Sequence, residues 1–233
     1  MFKIKVLDIV IEIDNIYSYI SDYCKDWICD GTPDFRVKVL SSEIECYMKN
    51  CGYSTTPDVV ERVLMCKKIA QMLPMAGAFL LHGGVIEYEG YGIIFSAKRG
   101  IGKTTHINLW KDAFGDNVKV VNGDKPFLKK YNGHFVACGT PWRGKEGLGD
   151  GSCVKIDKLC FIERSQKPYV KKISDTEAWE YIEKQTIFPK DRAYADGYAE
   201  MLADFIRSVD VYIAGVNMNV ESALTVKNSI LTV

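Results

Sequence analysis

The chain has 233 residues, 47% of them hydrophobic and 26% charged, which allows a sizeable buried core and argues against a disordered chain. Its 30 Lys and Arg balance its 30 Asp and Glu, so no global field favours nucleic acid or a membrane surface, and any anion site must be local. No apolar run approaches the roughly 18 residues of a membrane-spanning helix, and the alternating start Met1-Phe2-Lys3-Ile4-Lys5-Val6 is not a secretion signal, so the cytoplasm is the expected location.

Residues 2–13 read as strand, with a change of phase at Val6-Leu7 that predicts a bulge or break. Phe35, Val37 and Val39 alternate with Arg36 and Lys38, and 43–48 reads as a further strand, which together suggest a small antiparallel unit. Tyr17, Tyr19, Tyr23 and Trp27 are expected to pack rather than to stack on a ligand. Thr56-Pro57-Asp58 is a helix start with a hydroxyl cap, and the apolar face it opens runs to Pro74. A lobe boundary near residue 75 divides the chain into a strand-rich lobe over 1–75 and a main domain over 76–233. The eight cysteines form no Cys-x-x-Cys pair beside a histidine, so they are expected to be mostly reduced, half-buried thiols rather than a zinc site.

The main domain begins with three short strands, 78–82, 84–88 and 91–95, the last two joined by a tight Glu89-Gly90 turn. Ile107, Trp110 and Phe114 predict an amphipathic helix over 103–114, ended by Gly115. Val118–Val121 is the next strand, and 126–138 a hairpin turning at Asn132-Gly133. The glycine-rich stretch 139–151 reads as loop. A strand over 154–162, helices over 175–186 and 191–208, a strand over 209–214 and a last helix over 220–230 complete an α/β chain: a mixed central sheet with flanking helices.

The chemistry centres on Ser96-Ala97-Lys98-Arg99-Gly100-Ile101-Gly102-Lys103-Thr104-Thr105, between a strand and a helix. That layout is a phosphate-binding P-loop, with Ala97 where glycine usually opens the pattern. Amides from Gly100 to Thr105, including Ile101, would cradle phosphates at the positive end of the helix. Lys103 would reach the terminal phosphates and Thr104 would offer its hydroxyl to Mg²⁺. Asp124 lies past the end of the next apolar strand, where a carboxylate can hold Mg²⁺; an ordinary Asn-Gly-Asp turn is the alternative. His82 is either a proton acceptor or a neutral histidine satisfied by backbone. His106 and His134 read as surface or hairpin residues. Arg143 and Lys145, on a mobile glycine loop, either close over phosphates or are solvated.

The order His82-Gly83, strand, P-loop, helix, strand, Asn122-Gly123-Asp124-Lys125-Pro126 and then Gly139-Thr140-Pro141-Trp142 resembles the HPr kinase/phosphorylase and phosphoenolpyruvate-carboxykinase P-loop group, over roughly 76–215. It looks closest to short bacterial HPr-kinase-like proteins. The resemblance implies ATP and Mg²⁺ as cofactors, with Lys103 and Thr104 binding them, Asp124 as a second metal residue and His82 assisting proton removal from an acceptor serine. It also implies a protein or peptide as the phosphate acceptor and, by the family's habit, a possible homo-oligomer. HPr kinases carry two adjacent acids at the strand end, and the first of these positions is Gly123 here. The expected function is therefore an ATP/Mg-dependent serine-kinase-like phosphotransferase. Its alternatives are a non-catalytic nucleotide-binding module and a small-molecule kinase.

Overall fold

The computed structural model describes residues 1–231. β1 (Phe2–Val6) and β2 (Ile9–Asp14) form an antiparallel hairpin, so the change of phase at Val6-Leu7 is a tight turn, with Leu7 at φ 59°. A short helix α1 (Tyr19–Tyr23) intervenes before β3 (Phe35–Lys38), which pairs parallel to β2. This first sheet is thus mixed, not antiparallel; the connection through α1 is long enough to cross back, as a parallel pair requires.

Residues 43–48 are not a strand but lie inside α2 (Ser41–Asn50). Ile44 is the buried residue, with Tyr47 and Met48 at helical spacing beside it, and the Glu43 carboxylate accepts the Leu40 N–H at 2.8 Å to close the first turn. α3 (Pro57–Met72) starts at the expected proline, but Thr56 supplies no hydroxyl cap. Val60, Met65, Cys66, Ile69 and Ala70 of α3 join Ile11, Ile13 and Val37 in a core that continues into Phe127, Cys138 and Trp142.

The remaining strands are β4 (Ala78–Leu80), β5 (Gly83–Tyr88), β6 (Tyr91–Ser96), β7 (Val118–Asn122), β8 (Phe127–Tyr131), β9 (His134–Cys138), β10 (Cys153–Arg164), β11 (Tyr169–Lys172) and β12 (Asp210–Val216). They build one curled, mixed sheet in the order β4-β8-β9-β10-β6-β5-β7, with β12 also on β10 and β11 on β12. The helices are α4 (Lys103–Phe114), α5 (Asp175–Ile182), α6 (Ala195–Ser208) and α7 (Glu221–Ile230). β11, too short and polar to stand out in the sequence, is the one strand not anticipated there. Glu89-Gly90 and Asn132-Gly133 turn with both residues at positive φ, as two-residue hairpins prefer.

Side chains alternate across this sheet. Ile93, Phe95, Cys160 and Ile162 face the core with α4 and α7, whereas Ile94, Leu159 and Phe161 face the core with α5 and α6. β10 joins the two halves of the sheet. Its first residues, Cys153–Lys155, pair with β9, and its later ones pair parallel to β6 and β12. The crossing point is tight: a Cβ on Gly92 would lie 2.0 Å from the Lys155 carbonyl oxygen, so only glycine fits. β5 runs antiparallel to both β6 and β7. β6 and β7 therefore point the same way, and Ser96 and Asn122 end at the same edge.

Cys138 and Cys153 sit opposite one another on β9 and β10 and form a disulfide, while Cys24, Cys29, Cys46, Cys51, Cys66 and Cys160 are free. The expectation of reduced thiols fails for this pair because strand pairing brings together residues that the sequence separates. The bond closes the loop 139–152. Its removal in Cys138→Ala/Cys153→Ala is expected to cost about 3 kcal/mol. Thermal melts with and without reductant check this, and equal melting temperatures would mean that the bond contributes nothing to the loop.

Candidate functional site

β6 ends at Ser96, and the turn 97–102 carries the chain into α4 at Lys103. Gly100 (φ 83°) and Gly102 (φ 123°) make this path possible, since side-chain-bearing residues avoid both conformations. Ala97, where a glycine is usual, is buried in the core beside Phe95 and Ile107. Arg164, at the end of β10, donates from Nη2 to the Gly100 carbonyl at 2.7 Å and from Nε to Ile101 at 3.3 Å. No sequence signal marks Arg164; only the parallel pairing of β10 with β6 brings it here. Lys98 and Arg99 are exposed.

The second half of the site is the turn after β7. Asn122 is fully buried, and its Oδ1 accepts the N–H groups of Asp124 (2.9 Å) and Lys125 (2.8 Å). Its amide nitrogen donates to the Thr140 carbonyl at 3.2 Å, and the Thr140 hydroxyl donates to the Lys125 carbonyl at 2.8 Å. The Gly139-Thr140-Pro141-Trp142 stretch thus braces the Asp124 turn.

Asp124 and Lys103 meet across these two halves. Lys103 Nζ lies 2.9 Å from Asp124 Oδ1, Lys125 Nζ 2.5 Å from Oδ2, and His82 Nε2 3.2 Å from Oδ1. Burial pushes the Asp124 carboxyl up, but the His82 hydrogen bond and the two ammonium charges outweigh it, and the net shift is far below the usual carboxylate range. Lys103 moves down: burial of its ammonium outweighs the attraction of Asp124. The carboxylate and three basic side chains form one closed ion cluster.

His82 is held at four points. Its N–H donates to the Gln185 carbonyl at 2.8 Å, and its carbonyl accepts from the Ser96 hydroxyl at 2.8 Å. Its ring Nδ1 lies 3.0 Å from Gln185 Oε1 and its Nε2 faces Asp124. The structure therefore brings His82, Lys103 and Asp124 together and adds Lys125, Gln185 and Arg164. Thr104 and Thr105 occupy the next positions of α4, both half-buried.

Arg143 is placed elsewhere. Its Nη1 donates to the Gly149 carbonyl at 3.1 Å, and its guanidinium lies 5.1 Å from the Trp27 ring centre and 3.8 Å from Asp26. Lys145 is exposed on the same loop. This loop is bound down rather than loose: Trp27 Nε1 donates to Gly139, Gly123 N–H to Leu148, and Trp142 Nε1 to Arg62. Gly123 lies under it. A Cβ there would meet the Arg143 carbonyl oxygen at 2.7 Å and Leu148 Cβ at 3.0 Å, so the closed loop leaves no room for a side chain at this position.

His106 is buried, not on the surface. It lies edge-on to Phe95, and its Nε2 accepts the Trp110 indole N–H at 3.0 Å. Burial pushes it down to about 4, so it is a neutral core residue. His134 is exposed in the β8–β9 hairpin, as anticipated. Among the described residues, no three His, Cys, Asp or Glu side chains form a metal-binding group, and no helix is long and apolar enough to cross a membrane.

Two substitutions test this geometry. Gly123→Asp is expected to destabilise the fold by about 1–3 kcal/mol, as overpacking does; a variant as stable as the parent would show that the loop yields. Asp124→Asn is expected to cost about 3 kcal/mol, because it strands buried Lys103 beside Lys125, whereas Lys103→Met leaves Asp124 with two partners and should cost less. Asp124 is depressed relative to the unfolded chain. Its stabilisation is therefore full above about pH 5, begins to fall as the pH passes the ordinary carboxylate value near 4, and is lost only as the pH falls through the far lower folded value. Urea titrations of parent and Asp124→Asn from pH 7 to pH 3 should draw closer toward the acid end without meeting; parallel curves would contradict the assignment.

No family model matches the chain, and no curated protein matches it. Among solved structures, it is similar to the Hpr(Ser) kinase/phosphatase from Coxiella burnetii at 11% identity and a TM-score of 0.37, over 64% of this chain and 95% of that one. The likeness is a distant structural relationship.

Proposed function

We propose that the turn 97–102 and the first turn of α4 are a P-loop that binds the phosphates of ATP with Mg²⁺. The proposed activity is transfer of a phosphoryl group to a hydroxyl, in our reading a serine of a protein or peptide. The observation that carries this is the buried ammonium of Lys103 at the first position of α4, sharing the Asp124 carboxylate oxygen with His82. A lysine there is unfavourable for an isolated helix, whose N-terminus attracts anions. It is consistent with a site built for a more highly charged anion.

The residues present fit that group. A Cβ added at Gly100 or Gly102 meets nothing within 4 Å, so there is open space over the turn. Gly102 caps α4 without a side chain, which leaves the first amides of the helix to a ligand. Thr104 and Asp124 offer the hard oxygen donors that suit Mg²⁺ when phosphates complete its shell. Bound Mg-ATP would supply the phosphoryl group and a divalent charge beside it. Lys103 and the loop amides would offset charge developing on the transferred group. His82 would take the hydroxyl proton.

A second reading is a nucleotide-binding module without transfer activity. It is favoured by Gly123, which leaves Asp124 as the one carboxylate at the strand end, already neutralised by its neighbours.

Mg-ATP at about 100 times its dissociation constant should stabilise the protein by about 2.7 kcal/mol, seen as a rise in melting temperature of several degrees. Lys103→Ala should abolish the rise. No rise in the parent protein would remove the nucleotide proposal altogether. If the rise occurs but labelled γ-phosphate reaches no offered protein, peptide or amino acid, the second reading replaces the first.

A further inference from the structure

The turn 97–102 has open space around its glycines. Gly100 and Gly102 flank Ile101, and a Cβ built on either would meet nothing within 4 Å. Glycines on both sides give an unrestrained turn many backbone states. One bond inside the turn, from the Ile101 N–H to the Lys98 carbonyl at 3.2 Å, limits it. Among the described residues, Arg164 alone bonds the backbone of this turn with its side chain, from Nη2 to the Gly100 carbonyl and from Nε to the Ile101 carbonyl.

The sheet delivers that side chain. β6 stops at Ser96, opposite Phe161, while β10 runs on beside the turn to Arg164, still paired with Val216 of β12. The neighbouring Glu163 carboxylate accepts the Tyr169 hydroxyl, and among the described residues no acid pairs with Arg164. Its Nε–H and Nη2–H form one edge of a rigid planar fork, which holds two adjacent acceptors at once.

We infer that Arg164 is the positioning residue of the phosphate cradle, clasping the Gly100 and Ile101 carbonyls so that the turn is set before the ligand arrives. The inference rests on the P-loop reading for its ligand, but not for its geometry. In a trans peptide the carbonyl and the following N–H point to opposite sides. With the Ile101 carbonyl held on Arg164, the Gly102 N–H is turned away from the guanidinium. Among the described residues the amides of Gly102 to Thr105 donate no backbone bond, so they are open to an anion. A ligand that meets a preset turn bears less of the cost of ordering it, and the clasp adds affinity without touching the ligand.

The test uses the full chain and two probes, Mg-ATP and Mg-tripolyphosphate, the second without a nucleoside. In Arg164→Met, which keeps a stem and removes the donors, both dissociation constants should rise on the order of 10-fold, by the same factor. The melting temperature without ligand should stay close to that of the parent, because the two bonds removed are exposed. Arg164→Lys keeps the charge on a compact head that does not match the fork, and should bind as weakly as Arg164→Met. ¹⁵N relaxation of Gly100, Ile101 and Gly102 needs no ligand: the parent turn should be as rigid as β6, and that of Arg164→Met mobile on the ps–ns timescale. If Arg164→Met does not fold, Arg164→Gln carries the same comparison.

Unchanged affinity in Arg164→Met, parental affinity in Arg164→Lys, or a parent turn as mobile as that of Arg164→Met would overturn the inference. So would a loss confined to Mg-ATP, which would put Arg164 on the nucleoside instead. If Arg164→Met loosens the turn but neither probe binds the parent, the clasp stands and the phosphate reading falls.

Discussion

One buried carboxylate ties the functional edge of the sheet together. Asp124 is reached by Lys103 from the head of α4, by Lys125 from its own turn and by His82 from the end of β4 and the start of β5. Without it, the ammonium groups of Lys103 and Lys125 would face one another in a partly desolvated space, and their repulsion would open the edge. Its position is not left to the charges. Asn122 below it spends its side-chain oxygen on the Asp124 and Lys125 amides and its nitrogen on Thr140, so the turn is set by neutral hydrogen bonds before any ion pair forms. The cluster therefore rests on a preset frame, as electrostatic preorganisation requires.

That frame draws on distant parts of the chain. β10 feeds the edge from two sides: its start is bonded to β9 through Cys138–Cys153, and its end delivers Arg164 to the carbonyls of Gly100 and Ile101. The loop 139–152 lies between those contacts and is pinned by Trp27, Trp142 and Leu148. The first sheet reaches the site through this loop, since Trp27 follows α1 and Arg62, which accepts from Trp142, belongs to α3.

What the sequence made legible was local. The limits of α4 followed from Gly102, Gly115 and the spacing of Ile107, Trp110 and Phe114. Asp124 was legible because a strand end marks itself by the change from apolar residues to Asn-Gly. Residues 43–48 misled because a short amphipathic helix with apolar Ile44 among acids mimics alternation. His106 misled because its partner Trp110 is one helical turn away, and its other neighbour, Phe95, lies on a different element. Gln185, Arg164 and the disulfide gave no signal at all, for each depends on which strands or segments become neighbours. The glycines of 139–151 read as looseness, but several of them permit close packing.

That last point bears on how the site can change over evolutionary time. A Cβ on Gly139 or on Gly149 would lie 2.5 Å from the Val121 carbonyl oxygen, and one on Gly123 would lie 2.7 Å from the Arg143 carbonyl oxygen of the same loop. All three positions are closed to side chains by backbone, so a change at any of them asks the same loop to move. A second acid beside Asp124 would require the loop 139–152 to move, because the closed loop fills the space its side chain needs. The number of carboxylates this strand end can carry is in this sense set by the backbone of a loop.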